Sequence, residues 1–445
     1  KKKTRERKGQ GRAMKETLHE RLESNWETGV SVEEVRVHGL RRTSAAFVRK
    51  YVSSCLGMPL HRPRPLGALM GQISDTHREL LALDIFREVK MGPIPGSSGR
   101  SAVLDISVLE KKSPFFISAN WDLFGGCGVM GDQHLTVGLR NLMGHAERIE
   151  CSVGNDTDLS YQVAVVVPGW AGVNSEMQLT LSRQKNNYDV VSGYKECVLG
   201  GTLVVQKGNH TVTFFSGWRD IIPKDLTSGV NLHKGVSIKN SLGYTYFLDH
   251  RDDSSIPLEG WALKLNTELA GLGGDARFWK QEITAGWHKI IVPSLDLSIG
   301  CTAKLGFIQP LFESRVHLND RFFLGGSNMR GFHERKAAGV IQDDKALGGN
   351  FLGTTSLTLT APATNAFLQS LDVHFFAFVT AGNLINHMDV STLREGLTLF
   401  ARQMRVSAGL GFKAGRGELF LSSPILSYAN DRPAWVQLSF DLSYG

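Results

Sequence analysis

The chain has 445 residues, a formal net charge of +7, 48 glycines and only 14 prolines. This length suits one large domain together with a small one. No stretch approaches the roughly 18 to 20 consecutive apolar residues that a membrane-spanning helix requires, which excludes such a helix within this sequence. Abundant glycine with scarce proline favours a long series of strands and turns over a helical enzyme.

Residues 1–30 form a basic lead-in that holds nine Lys/Arg and five Glu. Trp26 is its only aromatic residue, whereas nucleic-acid-binding segments interleave aromatic and basic side chains. We therefore expect a solvated, partly disordered or helical segment and no nucleic-acid partner. The segment also lacks the apolar core of a signal peptide.

The residue types that form catalytic or metal sites show no recognisable motif in this sequence. The five cysteines lack metal-ligand spacing, and their odd number argues against a disulfide framework. No Ser/His/Asp, paired-carboxylate or metal-binding pattern stands out among the 14 histidines and 43 acidic residues. We expect no enzyme activity, no cofactor and no metal.

Residues 31–112 predict a small α+β domain. Thr43 is placed to cap a first helix, and Pro93–Gly99 has the composition of a loop. The predicted order is strand, helix, helix, strand, strand, carried by apolar residues at the matching spacing: Val35 and Val37; Phe47, Val48 and Tyr51; Leu66, Leu69, Met70, Ile73, Leu80 and Leu81; Ile85, Phe86 and Val89; Leu104, Ile106 and Val108. An open sheet edge of such a unit can accept a peptide strand.

Residues 113–445 alternate apolar and polar side chains instead. In Trp261–Leu269, Trp261 and Leu263 point to one face while Lys264 and Asn266 point to the other. About 16 strands of this kind are predicted, near residues 115, 133, 147, 160, 177, 198, 210, 238, 261, 277, 295, 352, 372, 403, 416 and 435.

Alternation by itself also fits a soluble β-sandwich. The predicted strands have about 9 to 11 residues, which suits a tilted membrane crossing, and their number is even. An unpaired sheet edge is very costly in lipid, so such a sheet must close. The sequence therefore predicts a membrane β-barrel of about 16 antiparallel strands over residues 113–445.

One connection, at about 307–350, is unusually long. It contains the mixed apolar, glycine and arginine segment Arg321–Phe332, in which Gly325, Gly326 and Gly331 permit tight turns. Folded into a polar lumen, Arg330 can pair with inward carboxylates or carbonyls. A long surface hairpin made soluble by its arginine is the alternative reading.

The segment Leu324–Phe332 resembles the sixth-loop motif of the BamA-like outer-membrane insertase superfamily, whose core is Val/Ile-Arg-Gly-Phe/Tyr. Met329, Arg330, Gly331 and Phe332 match that core, with methionine in the first place. Asp320–Gly326, Leu347–Asn350 and Phe375–Leu384 resemble the mitochondrial branch, which is the central barrel subunit of the sorting and assembly machinery (SAM/TOB complex). The resemblance covers about residues 31–445 and implies that the small domain is a single POTRA module.

Two positions depart from the bacterial pattern. Thr358 and Thr380 stand where bacterial relatives carry acidic residues, so Arg330 needs another carboxylate. Glu268, Asp296 and Asp372 are the candidates. These departures, together with a single POTRA module, favour the mitochondrial branch.

The final strand, about 435–444, resembles the terminal targeting signal of mitochondrial barrels, polar–x–Gly–x–x–apolar–x–apolar. Gln437, Leu442 and Tyr444 fit this signal, and Ser439 replaces its glycine. An ordinary closing strand is the alternative, and the two readings are compatible. The residues proposed to form the last strand of a lateral gate are Gln437, Leu438, Ser439, Phe440, Leu442 and Tyr444.

The resemblance implies a function in β-barrel assembly in the mitochondrial outer membrane, with the POTRA domain in the intermembrane space. A client's terminal strand would pair at the seam between the first strand, about 115–122, and the last, so that its backbone enters lipid already hydrogen-bonded. The implied partners are client β-barrel precursors, accessory subunits and membrane lipids. The rival readings are a passive channel or porin, a barrel enzyme, and a relative that translocates polypeptides.

Overall fold

The computed structural model describes residues 29–57, 62–97, 101–121, 133–155, 159–224, 229–312, 314–326, 328–342, 345–386, 398, 400–415 and 417–440. Of the basic lead-in, only Gly29 and Val30 fall inside these ranges, and they begin the first strand. Within the described residues, every helix is too short or too polar to cross a membrane.

The N-terminal part is a small α+β domain. Its elements are β1 (Gly29–His38), α1 (Ala45–Leu56), β2 (Arg64–Pro65), α2 (Leu66–Ala82), β3 (Phe86–Pro95) and β4 (Ser101–Glu110). The sheet order is β2-β1-β4-β3, with β1 parallel to β4 and β3 antiparallel to it. Apart from the two-residue β2, this is the predicted order of elements.

Two local predictions in this domain are wrong. Ser44, not Thr43, caps α1, and its Oγ accepts a hydrogen bond from the Phe47 N–H at 3.4 Å. The Thr43 hydroxyl instead accepts from Asn141 Nδ2 at 2.8 Å. The segment Pro93–Pro95 was predicted as loop but continues β3, because β3 is an edge strand and prolines there interrupt no ladder bond.

The second part is a sheet of sixteen strands. Each strand pairs with the next one along the chain, except that β15 pairs with β18 across an inserted hairpin, β16–β17. The bounds are β5 (Phe115–Trp121), β6 (Gln133–Arg140), β7 (Arg148–Asn155), β8 (Leu159–Pro168), β9 (Ser175–Asn187), β10 (Tyr194–Lys207), β11 (His210–Pro223), β12 (Gly235–Asp249), β13 (Gly260–Ala270), β14 (Phe278–Val292), β15 (Leu297–Pro310), β16 (Val340–Gln342), β17 (Lys345–Gly348), β18 (Phe351–Pro362), β19 (Val373–Ile385), β20 (Arg405–Ala414), β21 (Gly417–Leu426) and β22 (Val436–Phe440). A short helix, α3 (Ala366–Ser370), lies in the β18–β19 turn.

The two faces of this sheet differ as the alternation predicts. On β13, Trp261 and Leu269 are exposed, while Lys264 and Asn266 line an internal cavity of about 480 Å³. Seven strands, β13, β14, β15, β18, β19, β20 and β21, contribute side chains to this cavity. The sheet therefore surrounds a polar interior and presents apolar side chains outward, which confirms the predicted barrel.

The chain divides into two compact units. The first contains the described residues up to Phe116 with Val137–Glu150 and Val165–Met177, and the second contains the rest. In the first unit, Ala146 from the β6–β7 turn is fully buried and belongs to the same hydrophobic core as α1 residues such as Val48. The small domain thus shares its core with strand turns that lie beyond residue 112.

Candidate functional site

The chain between β15 and β18, Leu311 to Asn350, is called the inner loop here. It begins four residues later than expected, because β15 continues to Pro310. Its side chains Leu324, Met329 and Phe332 are fully buried, and they cluster with apolar strand residues such as Ile308 of β15. The described part of the loop therefore packs against the inside of the sheet.

Arg330 forms a two-pronged ion pair with Glu418 on β21. Arg330 Nε donates to Glu418 Oε1 at 3.0 Å, and Nη2 donates to Oε2 at 2.8 Å. The Glu418 side chain is 6% exposed and that of Arg330 is 22% exposed. This planar two-bond geometry is the strong form of an arginine–carboxylate contact.

Glu418 was missed from the sequence, and the three candidate partners of Arg330 were wrong. Glu268 pairs with Lys239, whereas Asp372 and Asp296 lie in the turns β18–β19 and β14–β15. The signal that could have identified Glu418 is its alternation with buried Phe420 and Ser422 along β21, which makes all three face inward.

Three aromatic rings surround the Arg330 guanidinium. Its Cζ lies 5.4 Å from the ring centre of Phe376, 5.3 Å from Phe378 and 5.8 Å from Phe420. Because these rings are themselves buried, they exclude water and add cation–π attraction to the ion pair.

The predicted glycines occupy positive-φ conformations that favour glycine. Gly325, Gly326 and Gly331 have φ of +121°, +64° and +91°. At Gly331 space is also limiting, since a Cβ there would lie 2.6 Å from Ser407 Cβ. Ser407 on β20 also donates a hydrogen bond from its hydroxyl to the Arg330 carbonyl. The loop backbone can reach β20 because residue 331 lacks a side chain.

Gln437 on the last strand binds the same stretch of loop backbone. Its Oε1 accepts from the Gly331 N–H at 2.7 Å, and its Nε2 donates to the Phe332 carbonyl at 2.9 Å. The backbones of Leu438, Ser439 and Phe440 pair with β21. The remaining two residues of the predicted last-strand set, Leu442 and Tyr444, lie outside the described residues.

The chain leading into β22 extends this contact. Ala434 N–H donates to the Gly331 carbonyl at 3.0 Å, and His333 N–H donates to the Arg432 carbonyl at 2.9 Å. The inner loop therefore runs alongside the β21–β22 connection and is held by main-chain bonds as well as by the Arg330–Glu418 pair.

Near its start the inner loop carries a buried carboxylate, Asp320. Burial alone would raise the pKa of Asp320, but the nearby Lys239 ammonium and Arg219 guanidinium outweigh this effect and lower the pKa to about 2. Asp320 is therefore charged near neutral pH. Among the described residues, no group of three or more His, Cys, Asp or Glu side chains is arranged to hold a metal ion.

A small α+β domain followed by a sixteen-stranded sheet with an arginine-bearing loop inside defines an outer-membrane β-barrel with a POTRA-type domain. A family model described as the Omp85 superfamily domain matches residues 141–421, and the chain belongs to the Omp85 superfamily. The resemblance found in the sequence is thereby confirmed.

Individual relatives agree with this assignment. A SAM50-like protein of Schizosaccharomyces pombe is 28% identical over 436 residues, covering 93% of this chain and 90% of the relative. The sorting and assembly machinery component 50 homolog of Bos taurus is 25% identical, covering 88% and 84%. The crystal structure of BamA from Haemophilus ducreyi lacking POTRA domains 1–3 matches with a TM-score of 0.67 at 14% identity, covering 92% of this chain and 84% of that one. The structural likeness shows the barrel fold.

Proposed function

We propose that this protein inserts and assembles β-barrel proteins in the mitochondrial outer membrane, by pairing client strands at the seam between β5 and β22. The relatives that match nearly the full chain carry the name of the sorting and assembly machinery, which supports the assembly role. The proposed mechanism involves strand pairing alone, without a covalent step or a cofactor.

The observation that carries the proposal is the set of contacts between the inner loop and the last hairpin, β21–β22. Glu418 on β21 and Gln437 on β22 both bind the loop at residues 330–332. Since β22 is also paired to β21, it has attachments that do not depend on the strand across the seam. Such attachments would hold the last hairpin in place when β22 separates from β5 at the seam.

The energetic reason for strand pairing at the seam is the cost of bare backbone in lipid. Each unsatisfied N–H or C=O group in the hydrocarbon region costs several kcal/mol. A client strand that pairs with an exposed barrel edge enters the membrane with these groups already bonded. The seam therefore acts as a template.

The remaining parts of the protein fit this role. Exposed leucines on the outer face, such as Leu179 and Leu181 of β9, suit contact with lipid. The POTRA-type domain would face the intermembrane space and receive client precursors there, together with accessory subunits.

The test is a reversible lock on the seam. In a variant whose five native cysteines are serine, Ile117→Cys on β5 and Leu438→Cys on β22 are joined by a cleavable bis-maleimide linker. Insertion of a labelled client barrel into proteoliposomes is then measured. The matched control joins Val205→Cys to Val212→Cys, which are register partners in the β10–β11 hairpin and need not separate.

We expect the seam lock to stop insertion, cleavage of the linker to restore it, and the control pair to insert normally. Normal insertion through a locked seam would refute the strand-pairing mechanism. Free ion conduction without any client insertion would favour the passive channel instead.

A further inference from the structure

Asp320 lies at the end of a short 3-10 turn, Leu318–Asp320, close to where the inner loop leaves β15. Its side chain is 2% exposed, and its Oδ1 accepts from Arg219 Nη1 at 2.8 Å and from Lys239 Nζ at 3.0 Å. A carboxylate is buried this deeply only where opposite charges and hydrogen bonds compensate for lost hydration.

The partners of Asp320 come from neighbouring strands. Arg219 is on β11 and Lys239 is on β12, and Lys239 also contacts Glu268 on β13 at 2.7 Å. On β14, Lys280 Nζ donates to the Asp320 carbonyl at 3.2 Å and lies 4.5 Å from the ring centre of Phe322. The start of the loop is thereby attached directly to β11, β12 and β14, and through Lys239 to β13.

The loop tip is attached to a different group of strands. Ser407 on β20, Glu418 on β21 and Gln437 on β22 all bind residues 330–332. Only a short stretch of chain separates Asp320 from Arg330, so fixing one end limits the positions that the other can reach. The loop thus joins β11–β14 to β20–β22 across the interior.

We infer that Asp320 is a positioning residue: by fixing the start of the inner loop on β11–β14, it holds Arg330 and residues 331–332 against the last hairpin. The effect of this positioning on client insertion rests on the function proposed above. The position of the loop tip does not, so the two can be tested separately.

The single variant Asp320→Ala is a poor test, because it leaves the buried Arg219 guanidinium without its anion and threatens folding. The variant Arg219→Met/Asp320→Leu removes one cation and one anion together and leaves the Lys239–Glu268 pair intact. Replacing a buried ion pair with apolar side chains of similar volume is usually tolerated. Asp320→Asn is the milder second variant, since it keeps the shape and one acceptor oxygen.

The matched control is Lys304→Gln. It removes an interior ion pair between β14 and β15, in which Lys304 Nζ lies 3.3 Å from Glu282 Oε2. Its ion-pair partner is on a strand and the Lys280 contact with the loop is left in place, so it tests whether loss of any interior charge pair has the same effect.

The measurement is a pulsed electron paramagnetic resonance distance between spin labels at Asn328 on the loop and Thr284 on β14, two residues that line the cavity. It uses the full chain without native cysteines in detergent or liposomes, and heat-modifiable gel mobility verifies that each barrel is folded. We expect Arg219→Met/Asp320→Leu to broaden the distance distribution, Asp320→Asn to broaden it less, and Lys304→Gln to leave it unchanged.

Insertion of a labelled client is measured in the same samples, and we expect the initial rate to fall roughly tenfold in Arg219→Met/Asp320→Leu, because the side-chain attachment of the loop start to β11 and β12 is lost. An unchanged distance distribution in both folded Asp320 variants would overturn the positioning role. A broadened distribution with normal insertion would uphold the positioning role and count against the proposed part of the loop in insertion.

Discussion

Arg330 and Glu418 stand 88 residues apart in the sequence and meet through two parallel hydrogen bonds, one at each guanidinium edge nitrogen. One residue belongs to a loop and the other to the strand before last. The pair fixes the inner loop inside the barrel and attaches it to the β21–β22 hairpin beside the seam.

We expect Glu418→Ala to lower the free energy of unfolding by about 2 to 3 kcal/mol, because Arg330 would keep its buried surroundings without a counter-charge. Denaturant titration followed by heat-modifiable mobility measures this loss. Glu34→Ala is the control, since the Glu34–Arg36 pair is more than half exposed and should matter little. Equal losses for the two variants would contradict a special role of the inner pair.

Gly331→Ala tests the close approach of loop and strand. The φ of +91° and the 2.6 Å that would separate the new alanine Cβ from Ser407 Cβ together should cost about 2 kcal/mol or more. Gly208→Ala is the control, because Gly208 has a φ of +56° but no atom within 4 Å of its added Cβ. Ser407→Gly removes the crowding but also the hydrogen bond to the Arg330 carbonyl, so the cost of Gly331→Ala is measured again in the Ser407→Gly background. A smaller cost there measures the crowding, and an equal cost would assign the whole loss to backbone strain.

Gln437→Leu should loosen the last strand without unfolding the barrel. It removes two hydrogen bonds to loop backbone, worth about 1 to 2 kcal/mol in total. Hydrogen–deuterium exchange at the amides of residues 331–333 should therefore accelerate, while exchange in the β10–β11 hairpin stays unchanged. Protection at residues 331–333 equal to that of the unmodified protein would show that Gln437 does not hold the loop.

Asp320 predicts an acid-sensitive contribution to stability. Its pKa falls from 3.8 in the unfolded chain to about 2 in the folded protein. The stabilisation, roughly 2 kcal/mol, is fully present above about pH 4 and is lost as the pH falls toward 2. The unfolding free energy of the unmodified protein should thus decrease more steeply than that of Asp320→Asn between pH 4 and 2. Parallel pH profiles would contradict the lowered pKa.

The strand series was predictable because side-chain alternation is a local signal. The sixteen predicted strand positions all fall on or within a few residues of observed strands, and the long connection falls between β15 and β18 as expected. Period-two patterning carries this information without any knowledge of the tertiary fold.

The contacts inside the barrel were not predictable in the same way. Alternation places Glu418 on the inward face of β21, but other acidic side chains such as Glu282 also face the interior, and which of them meets Arg330 depends on the path of the loop. The Thr43 prediction failed for a similar reason, since the Asn141 amide that donates to its hydroxyl is 98 residues away. Alternation indicates the face on which a side chain lies, but not which distant residue it contacts.

The shared core of the first unit has a consequence for biosynthesis. Ala146 is buried in the same hydrophobic core as residues of α1, and the Ser44 N–H donates to the Gly144 carbonyl at 2.9 Å. During synthesis, which starts at the N-terminus, the α+β domain therefore cannot complete its packing until the turn between β6 and β7 has been made. Final packing of the POTRA-type domain therefore requires the turn between the second and third strands of the barrel to be in place.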